Sequence, residues 1–294
     1  MGSLKEIRNR ITTVKSTRKI TSAMSRIASA QLVKAQNAAT SARPYGDRLE
    51  EVVRDLLNAI DADAALSPLL ASKSEIKTVG LVVLTADRGL CGGFNANVNR
   101  ATKKFVRDQE ALGVKVEIVA CGKKSHSYLR HEDIAVASKH PSPDLKTIVD
   151  VAKSVCTEVA AMFTESKDTG LPHVDSFFMI YNHFKNVLVQ EVTTLPLLPF
   201  QPAEGEVSSL PPVFEPDPAS LLDHLLPVAL QSRVQQAMFN SVASEIASRR
   251  MAMDSATDNA SELIGDLTLE YNRERQAAIT KELMEIIGGA EALK

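Results

Sequence analysis

The sequence predicts an α+β fold in which long helices near the two chain ends pair as an antiparallel coiled coil around an inserted small α/β domain. Residues 3–43 contain neither proline nor glycine, and residues 228–287 contain a single glycine. Residues 76–195 alternate β-branched runs with helical stretches, which is typical of an α/β layer. Seven of the thirteen prolines lie between Pro196 and Pro218, which indicates an extended connector. The predicted segments are a first helix at 1–58, the α/β domain at 76–195, a Pro-rich connector at 196–220 and a last helix at 221–294.

The first helix carries a narrow apolar seam. Its apolar residues follow 3-4-3 spacing and then resume with an offset, which is typical of a helix that packs against one partner helix. The residues of the seam are Leu4, Ile7, Ile11, Val14, Ile20, Met24 and Ile27.

The last helix has the same kind of seam over a greater length. Its spacing is 3-4-3-4 through Met253, Ala256, Ala260, Leu263 and Leu267. Sixty helical residues would span about 90 Å, which exceeds the diameter of a compact domain, so this helix must pair with another. The first helix is the obvious partner. The alternative is two shorter helices that are broken near Gly265.

The middle of the chain predicts a Rossmann-like domain. Three apolar runs predict strands, each followed by a helical stretch, and two further runs joined by a short turn predict a hairpin. The predicted strands are Thr78–Thr85, Val114–Ala120, Ile134–Ser138, Val174–Tyr181 and Val187–Thr194, and the predicted helices are 95–111, 123–130 and 144–166.

Charge and composition exclude several classes of protein. The chain has 34 basic and 36 acidic residues, yet residues 1–48 carry a net +8 and residues 241–294 a net −4. Aromatic residues make up 4% and tryptophan is absent, which argues against nucleic acid as a partner. The three cysteines lack metal-site spacing, so we expect neither disulfides nor a metal. No apolar run reaches the length of a membrane span, so if this protein works at a membrane, we expect it to do so through a partner.

An acidic ribbon recurs every four residues along the last helix. Its five like-charge i,i+4 contacts each cost about 0.2–0.5 kcal/mol. One hypothesis is that the ribbon is a solvated face. The other is that it partly faces basic residues of the first helix, namely Lys15, Arg18, Lys19 and Arg26. The ribbon consists of Asp254, Asp258, Glu262, Asp266, Glu270 and Glu274.

The glycine-rich loop 85–95, TADRGLCGGFN, follows a predicted strand and precedes a helix, where phosphate-binding loops occur. It lacks both GxxxxGK[ST] and GxGxxG, so we favour a tight backbone path or close approach to another chain. Asp87 and Arg88 are then interface residues, and Cys91 is a packed thiol. The chain offers no paired-carboxylate or Ser/His/Asp arrangement, so we expect no catalytic residues and no cofactor.

Four segments resemble the gamma subunit of F-type ATP synthases, and together they cover nearly the whole chain. They are the first helix KEIRNRITTVKSTRKITSAMSRIASAQLVKAQ, the loop TADRGLCGGFN, the segment FEPDPASLLDHLLP and the tail beginning MAMDSATDNASELIGDLTLEYNRERQ. The resemblance implies a non-catalytic rotor shaft that couples proton-driven rotation of the membrane c-ring to the catalytic beta subunits. Its implied partners are the alpha and beta subunits, the epsilon subunit and the c-ring. The α/β domain would be the foot of this shaft.

The resemblance also implies coupling positions. Met24 matches the family's methionine near an acidic loop of the beta subunit. Arg249, Gln276, Thr280 and Glu282 match polar positions implicated in coupling. The chain departs from the family pattern at Ser22, Ser25 and Arg26, and it lacks the cysteine pair of the plastid branch, so we expect no thiol regulation.

The absence of a targeting segment favours a bacterial chain, and a processed mitochondrial chain is the alternative. For a bacterial chain, the resemblance implies a peripheral position on the cytoplasmic face of the inner membrane. Two other classes compete with this interpretation: a nucleotide-dependent α/β enzyme and a basic coiled-coil nucleic-acid binder.

Overall fold

The computed structural model describes residues 2–59, 67–71, 73, 75–164, 172–201, 215 and 217–291. Long helices occupy both ends of this described chain, and five strands with three helices lie between them. In chain order the elements are α1 Gly2–Ala59, a 3₁₀ turn Pro68–Leu70, β1 Thr78–Leu84, α2 Phe94–Ala111, β2 Lys115–Cys121, α3 Lys123–His131, β3 Ser138–His140, α4 Ile148–Phe163, β4 Ser176–Phe184, β5 Gln190–Leu198 and α5 Pro218–Glu291.

The five strands form one sheet in the order β3-β2-β1-β4-β5. The first four are parallel, and β5 runs antiparallel to β4. The central strand β1 is buried along nearly its whole length, because helices cover a parallel sheet on both faces. On one face α2 and α3 pack over Leu81, Val83 and Ile118. This arrangement confirms the predicted Rossmann-like domain.

The chain divides into two compact units. The first contains α1 up to Ser29 together with α5 from Arg249 onward, and the second contains Ala30–Ser248. Within each unit the helices α1 and α5 pair antiparallel. In the first unit Thr21 contacts Thr257 and Ser25 contacts Asp254.

In the second unit the same two helices come close at Gly46. An added Cβ at Gly46 would lie 1.6 Å from Nε2 of Gln236, so only glycine allows this approach without a shift of that side chain. Glu50 of α1 pairs with Arg233 of α5 one turn further along. The predicted antiparallel helix pair is therefore confirmed.

Several predicted element boundaries are wrong. Helix α5 is continuous through Gly265, so the alternative of a break there is excluded. Strand β3 lies at Ser138–His140, because Ile134 and Val136 pack on the core beneath α2 instead of joining β2. Strand β5 extends to Leu198, so Pro196 belongs to the sheet and not to the connector. Helix α4 begins four residues later than predicted, at Ile148, and α5 begins at Pro218.

Most of the predicted connector, residues 202–214 and 216, lies outside the described residues. The division of the chain into four segments stays a prediction.

Candidate coupling interface

The glycine-rich loop is held by side chains of its own domain. The Asn95 carboxamide accepts a hydrogen bond from the Ala86 amide at 2.9 Å and donates one to the Arg88 carbonyl at 3.3 Å. The Asp87 carboxylate accepts a hydrogen bond from the Lys123 amide at 2.8 Å, at the start of α3. The Asp87 carboxylate therefore occupies the N-terminus of α3, beside the loop, where a negative charge is favourable.

Cys91 is buried in this loop, together with Ala86 and Phe94. Its carbonyl accepts hydrogen bonds from the Phe94 amide at 3.2 Å and from the Ser248 hydroxyl at 2.7 Å. Leu90, at the exposed turn, has a φ of 63°, and Gly92 has a φ of 53°. The loop thus takes a tight path against α5, and the Cys91 side chain is packed, as the sequence predicted.

The seven candidate interface residues fall into separate groups. Asp87 and Arg88 lie on the glycine-rich loop of the second unit, and Arg88 is exposed. Met24 and Arg249 are half-buried residues of the first unit. The remaining three are exposed near the end of α5, where Gln276 and Thr280 lie one turn apart on one face and Glu282 points elsewhere. The three candidates of this last group are Gln276, Thr280 and Glu282.

The predicted seam of α1 is correct at Ile7, which is buried, but from Ile20 onward the buried positions lie one residue further along the helix. Ile20 and Ile27 are 60% and 58% exposed, whereas Thr21, Ser25 and Ala28 are buried. Small residues let the two helices approach closely, and the Thr21 and Thr257 hydroxyls then hydrogen-bond across the pair at 2.7 Å. The apolar spacing misplaced this part of the seam because two of its buried residues, Thr21 and Ser25, are polar.

The acidic ribbon is exposed throughout. Among the described residues, its only ion pair is Asp254 with Arg250 of the same helix, at 3.7 Å. Asp254 also accepts a hydrogen bond from the Ser25 hydroxyl. No ion pair joins the described ribbon acids to Lys15, Arg18, Lys19 or Arg26, so the solvated face is the hypothesis that fits this chain.

The end of α5 presents an exposed apolar surface, which the sequence analysis did not identify. We call it the apolar tip. Each of its residues is between 49% and 72% exposed. Soluble proteins rarely leave large contiguous apolar patches uncovered, so this surface is unusual. The sequence did contain a signal for this surface, namely a helical stretch with apolar residues on several sides of the helix. The apolar tip consists of Ile279, Leu283, Met284, Ile286 and Ile287.

A groove of about 730 Å³ runs beside α2 and the start of β2. Val106 and Ile134 contribute apolar surface to it. Two of its lysines are already paired with carboxylates: Lys103 with Glu132, and Lys115 with Glu117 at 2.6 Å. The groove shows no convergent set of catalytic groups. Across the described ranges no cluster of His, Cys, Asp or Glu could hold a metal ion.

None of the described helices combines the length and the apolar character that crossing a bilayer requires. The fold and these surfaces define a class of protein with two long helices that pair antiparallel and an inserted α/β domain whose sheet is mostly parallel. In the described chain, its distinctive features are the exposed acidic ribbon and the apolar tip, both on α5.

Comparisons with known proteins identify the family. A sequence model of the family described as ATP synthase matches residues 3–293. The ATP synthase gamma chain of Geobacter metallireducens is 41% identical over 298 residues, and that of Chlorobaculum tepidum is 39% identical over 299 residues. Both alignments cover the whole of each chain. The chain therefore belongs to the ATP synthase gamma chain family, which confirms the resemblance found in the sequence.

Solved structures show the same fold. A chain of the Euglena gracilis mitochondrial ATP synthase, in a structure of its OSCP/F1/c-ring, aligns with a TM-score of 0.64 at 18% identity and covers 99% of this chain and 95% of its own. A chain of the central stalk and c-ring structure from Tetrahymena thermophila aligns with a TM-score of 0.59 at 24% identity, covering 81% and 99%.

Proposed function

We propose that this chain is the central rotor shaft of an F-type ATP synthase. In this role it couples proton-driven rotation of the membrane c-ring to conformational cycling of the catalytic beta subunits. It carries no catalytic residues itself. The observation that carries the proposal is the full-length match at about 40% identity to chains named ATP synthase gamma chain.

The mechanical requirement of a shaft agrees with the helix pairing. A single helix bends and twists under load, whereas two helices that are hydrogen-bonded to each other resist this more strongly. In the first unit the cross-helix bonds are at Thr21 and Ser25, and in the second unit the link is Arg233 with Glu50. A solvated acidic face suits a body that turns inside a surrounding ring, because it forms few fixed contacts.

The proposed partners follow from the exposed surfaces and from the family. The alpha and beta subunits would surround the terminal helices and cover the apolar tip. The basic residues of α1 suit an acidic loop of the beta subunit. The epsilon subunit and the c-ring would contact the α/β domain. The chain would reach the membrane only through these partners, as a peripheral subunit on the cytoplasmic face of the bacterial inner membrane.

The individual coupling residues belong to the same proposal. Met24 and Arg249 are half-buried, so each retains surface for a neighbouring subunit. The exposed amide of Gln276 and hydroxyl of Thr280 share one helix face, where a ring subunit could accept or donate hydrogen bonds. Glu282 offers a charge on a neighbouring face. Asp87 already supports α3, so on that loop Arg88 is the side chain that is free to face a partner.

Reconstitution with alpha and beta subunits tests the function. We expect a stable complex whose ATP hydrolysis depends on this chain. Nucleotide titration of the isolated chain is the control for the competing enzyme, and we expect no stoichiometric binding. Failure to form a complex, or hydrolysis that is the same with and without the chain, would refute the proposal.

A further inference from the structure

One face of α5 carries three side chains that bond to the main chain of the α/β domain. They are Arg233, Ser244 and Ser248, at intervals of eleven and four residues. Because each residue advances about 100° around a helix, all three lie within about 60° of one another. We call this set the attachment face. All three residues belong to the second unit.

Each residue of the attachment face donates to a different part of the domain. The Ser248 hydroxyl bonds to the Cys91 carbonyl in the glycine-rich loop at 2.7 Å, and the Ser244 hydroxyl bonds to the Asn182 carbonyl in β4 at 3.0 Å. Arg233 bonds to the Gln201 carbonyl beyond β5 at 2.8 Å. All three acceptors are main-chain carbonyls, which have no rotamer to change, so they resist displacement more than side chains would.

Arg233 makes the densest set of contacts. Its Nε and Nη2 atoms both lie 2.8 Å from the Glu50 carboxylate of α1, and its guanidinium lies 4.1 Å from the centre of the Phe200 ring. Its side chain is only 9% exposed. A charge buried to this extent is costly to move away from its partners, so the contacts hold one geometry. Arg233 thus joins α1, α5 and the end of the sheet.

Two further residues on this side of α5, Ala237 and Ser241, are small and almost inaccessible to solvent. Small side chains at these positions leave no long, flexible group on the attachment face.

We propose that the attachment face fixes the α/β domain to α5 against twisting, with Arg233 as its principal positioning residue. This inference rests on the proposed function as a rotor shaft. Torque entering through the α/β domain would pass into α5 through these bonds. Loss of an anchor would make the attachment more compliant without removing any residue from the surfaces that meet the alpha and beta subunits.

The test measures stiffness in the assembled complex. The chain is reconstituted with alpha and beta subunits, and a probe is attached to Lys104→Cys, an exposed position on α2. The native thiols Cys91, Cys121 and Cys156 are all buried, so the label is selective. The angular variance of the probe in the stalled complex reports compliance, and ATP hydrolysis in the same preparation reports folding and assembly.

The variants are Arg233→Met, Arg233→Lys, Glu50→Gln and the double change Ser244→Ala/Ser248→Ala. We expect the angular variance to rise about twofold or more for Arg233→Met, with chain-dependent hydrolysis retained. Arg233→Lys keeps the charge but not the fork of donors, so its variance should lie between those of Arg233→Met and the unchanged chain. Glu50→Gln and the serine pair should each raise the variance.

Two matched controls should leave the variance unchanged. Arg48→Met removes an exposed ion pair with Glu51 in the same unit, and Ser261→Ala removes a hydroxyl that bonds only within its own helix. A wild-type variance in hydrolysing complexes of Arg233→Met and of the serine pair would overturn the inference and leave the rotor function standing. If Arg233→Met fails to fold, the angular variances of Glu50→Gln and of the serine pair test the inference instead, and wild-type values in both would overturn it. If the unchanged chain fails to support hydrolysis, the rotor function itself is wrong.

Discussion

Asp175 shows how one side chain can organise the start of a sheet. Its Oδ2 atom accepts hydrogen bonds from the Lys77 amide at 2.8 Å and the Thr78 amide at 2.9 Å, immediately before β1. Its Oδ1 atom lies 3.1 Å from Nζ of Lys73 and 3.2 Å from Nε2 of His173. Because the side chain is 8% exposed, these partners replace nearly all of its hydration.

Burial alone would raise the pKa of Asp175, but the Thr78 and Lys77 amides and the Lys73 ammonium outweigh it and lower the pKa to about 2. An unfolded aspartate titrates near 3.9, so the carboxylate contributes about 2 kcal/mol of stability. That contribution is fully present above about pH 4 and is lost as the pH falls through about 2.

We predict that Asp175→Asn lowers the free energy of unfolding by about 1–2 kcal/mol at pH 7. The asparagine side chain keeps the shape of the aspartate, but it has no negative charge to attract the Lys73 ammonium. It also has no carboxyl group that could be protonated in this pH range. Urea unfolding at pH 7 and at several values between pH 4 and 2 measures both effects. The loss caused by the substitution should shrink as the pH falls. Asp108→Asn, at an exposed position on α2, is the control, and a loss that stays constant with pH would contradict the prediction.

Contacts such as those of Asp175 and Arg233 were beyond the reach of sequence patterns. Asp175 bonds to an amide 98 residues earlier in the chain, and Arg233 pairs with a carboxylate 183 residues earlier. Spacing rules describe neighbours within a few turns, so they found the strand next to Asp175 and the helix that carries Arg233, but not the long-range bonds that these residues make. The glycine-rich loop was found because its strand and helix are adjacent in sequence.

At the scale of elements, α5 is the feature that the sequence predicted with most success. Its 74 residues run from Pro218 to Glu291 and include Pro227 and Gly265. A glycine inside a helix costs about 1 kcal/mol relative to alanine, but this does not end a helix that has good helix formers on both sides. The same local patterns misplaced β3, because a strand of three residues depends on its partner β2 and not on its own sequence.

We predict that Gly265→Ala stabilises α5 by up to about 1 kcal/mol. The position is exposed, and an added Cβ would meet no atom within 4 Å. Thermal unfolding of the isolated chain, followed by helix content, measures the gain.

Gly122→Ala is the contrasting variant for this test. Gly122 has a φ of 98°, and its Cβ would lie 2.2 Å from the Thr85 carbonyl oxygen. We therefore expect it to destabilise the chain by more than about 1 kcal/mol. If both substitutions changed the stability of the chain by the same amount and in the same direction, the backbone conformation at each glycine would not explain the changes.

At the scale of the whole molecule, the sequence predicted the pairing of the terminal helices and the inserted domain. It did not predict the division into two units or the apolar tip. Both depend on which helix faces become buried in the folded chain, and a long helix with apolar residues on several sides leaves that choice open. The exposed Ile20 and Ile27 follow the same pattern, since the structure buries their small neighbours Thr21 and Ala28 in their place.

We predict that changing Leu283, Met284 and Ile286 together to serine weakens binding to the alpha and beta subunits at least tenfold. Burying one large apolar side chain contributes about 1.5–3 kcal/mol, and a factor of ten is about 1.4 kcal/mol. The isolated chain should keep its unfolding temperature and self-associate less. Titration with the subunits and sedimentation measure these effects. The matched control changes Arg273, Glu274 and Arg275 to serine, and equal weakening by both triple variants would contradict the prediction.

The hydrogen bond between Thr21 and Thr257 has a consequence for synthesis on the ribosome. These residues are 236 positions apart, and the domain of residues 76–195 is made between them. At about 5–20 residues per second, the early part of α1 waits roughly 10–50 seconds for its partner helix. During that interval its seam, including Ile7 and Ala28, is uncovered. A nascent chain of this kind would be a substrate for chaperones until its final helix emerges.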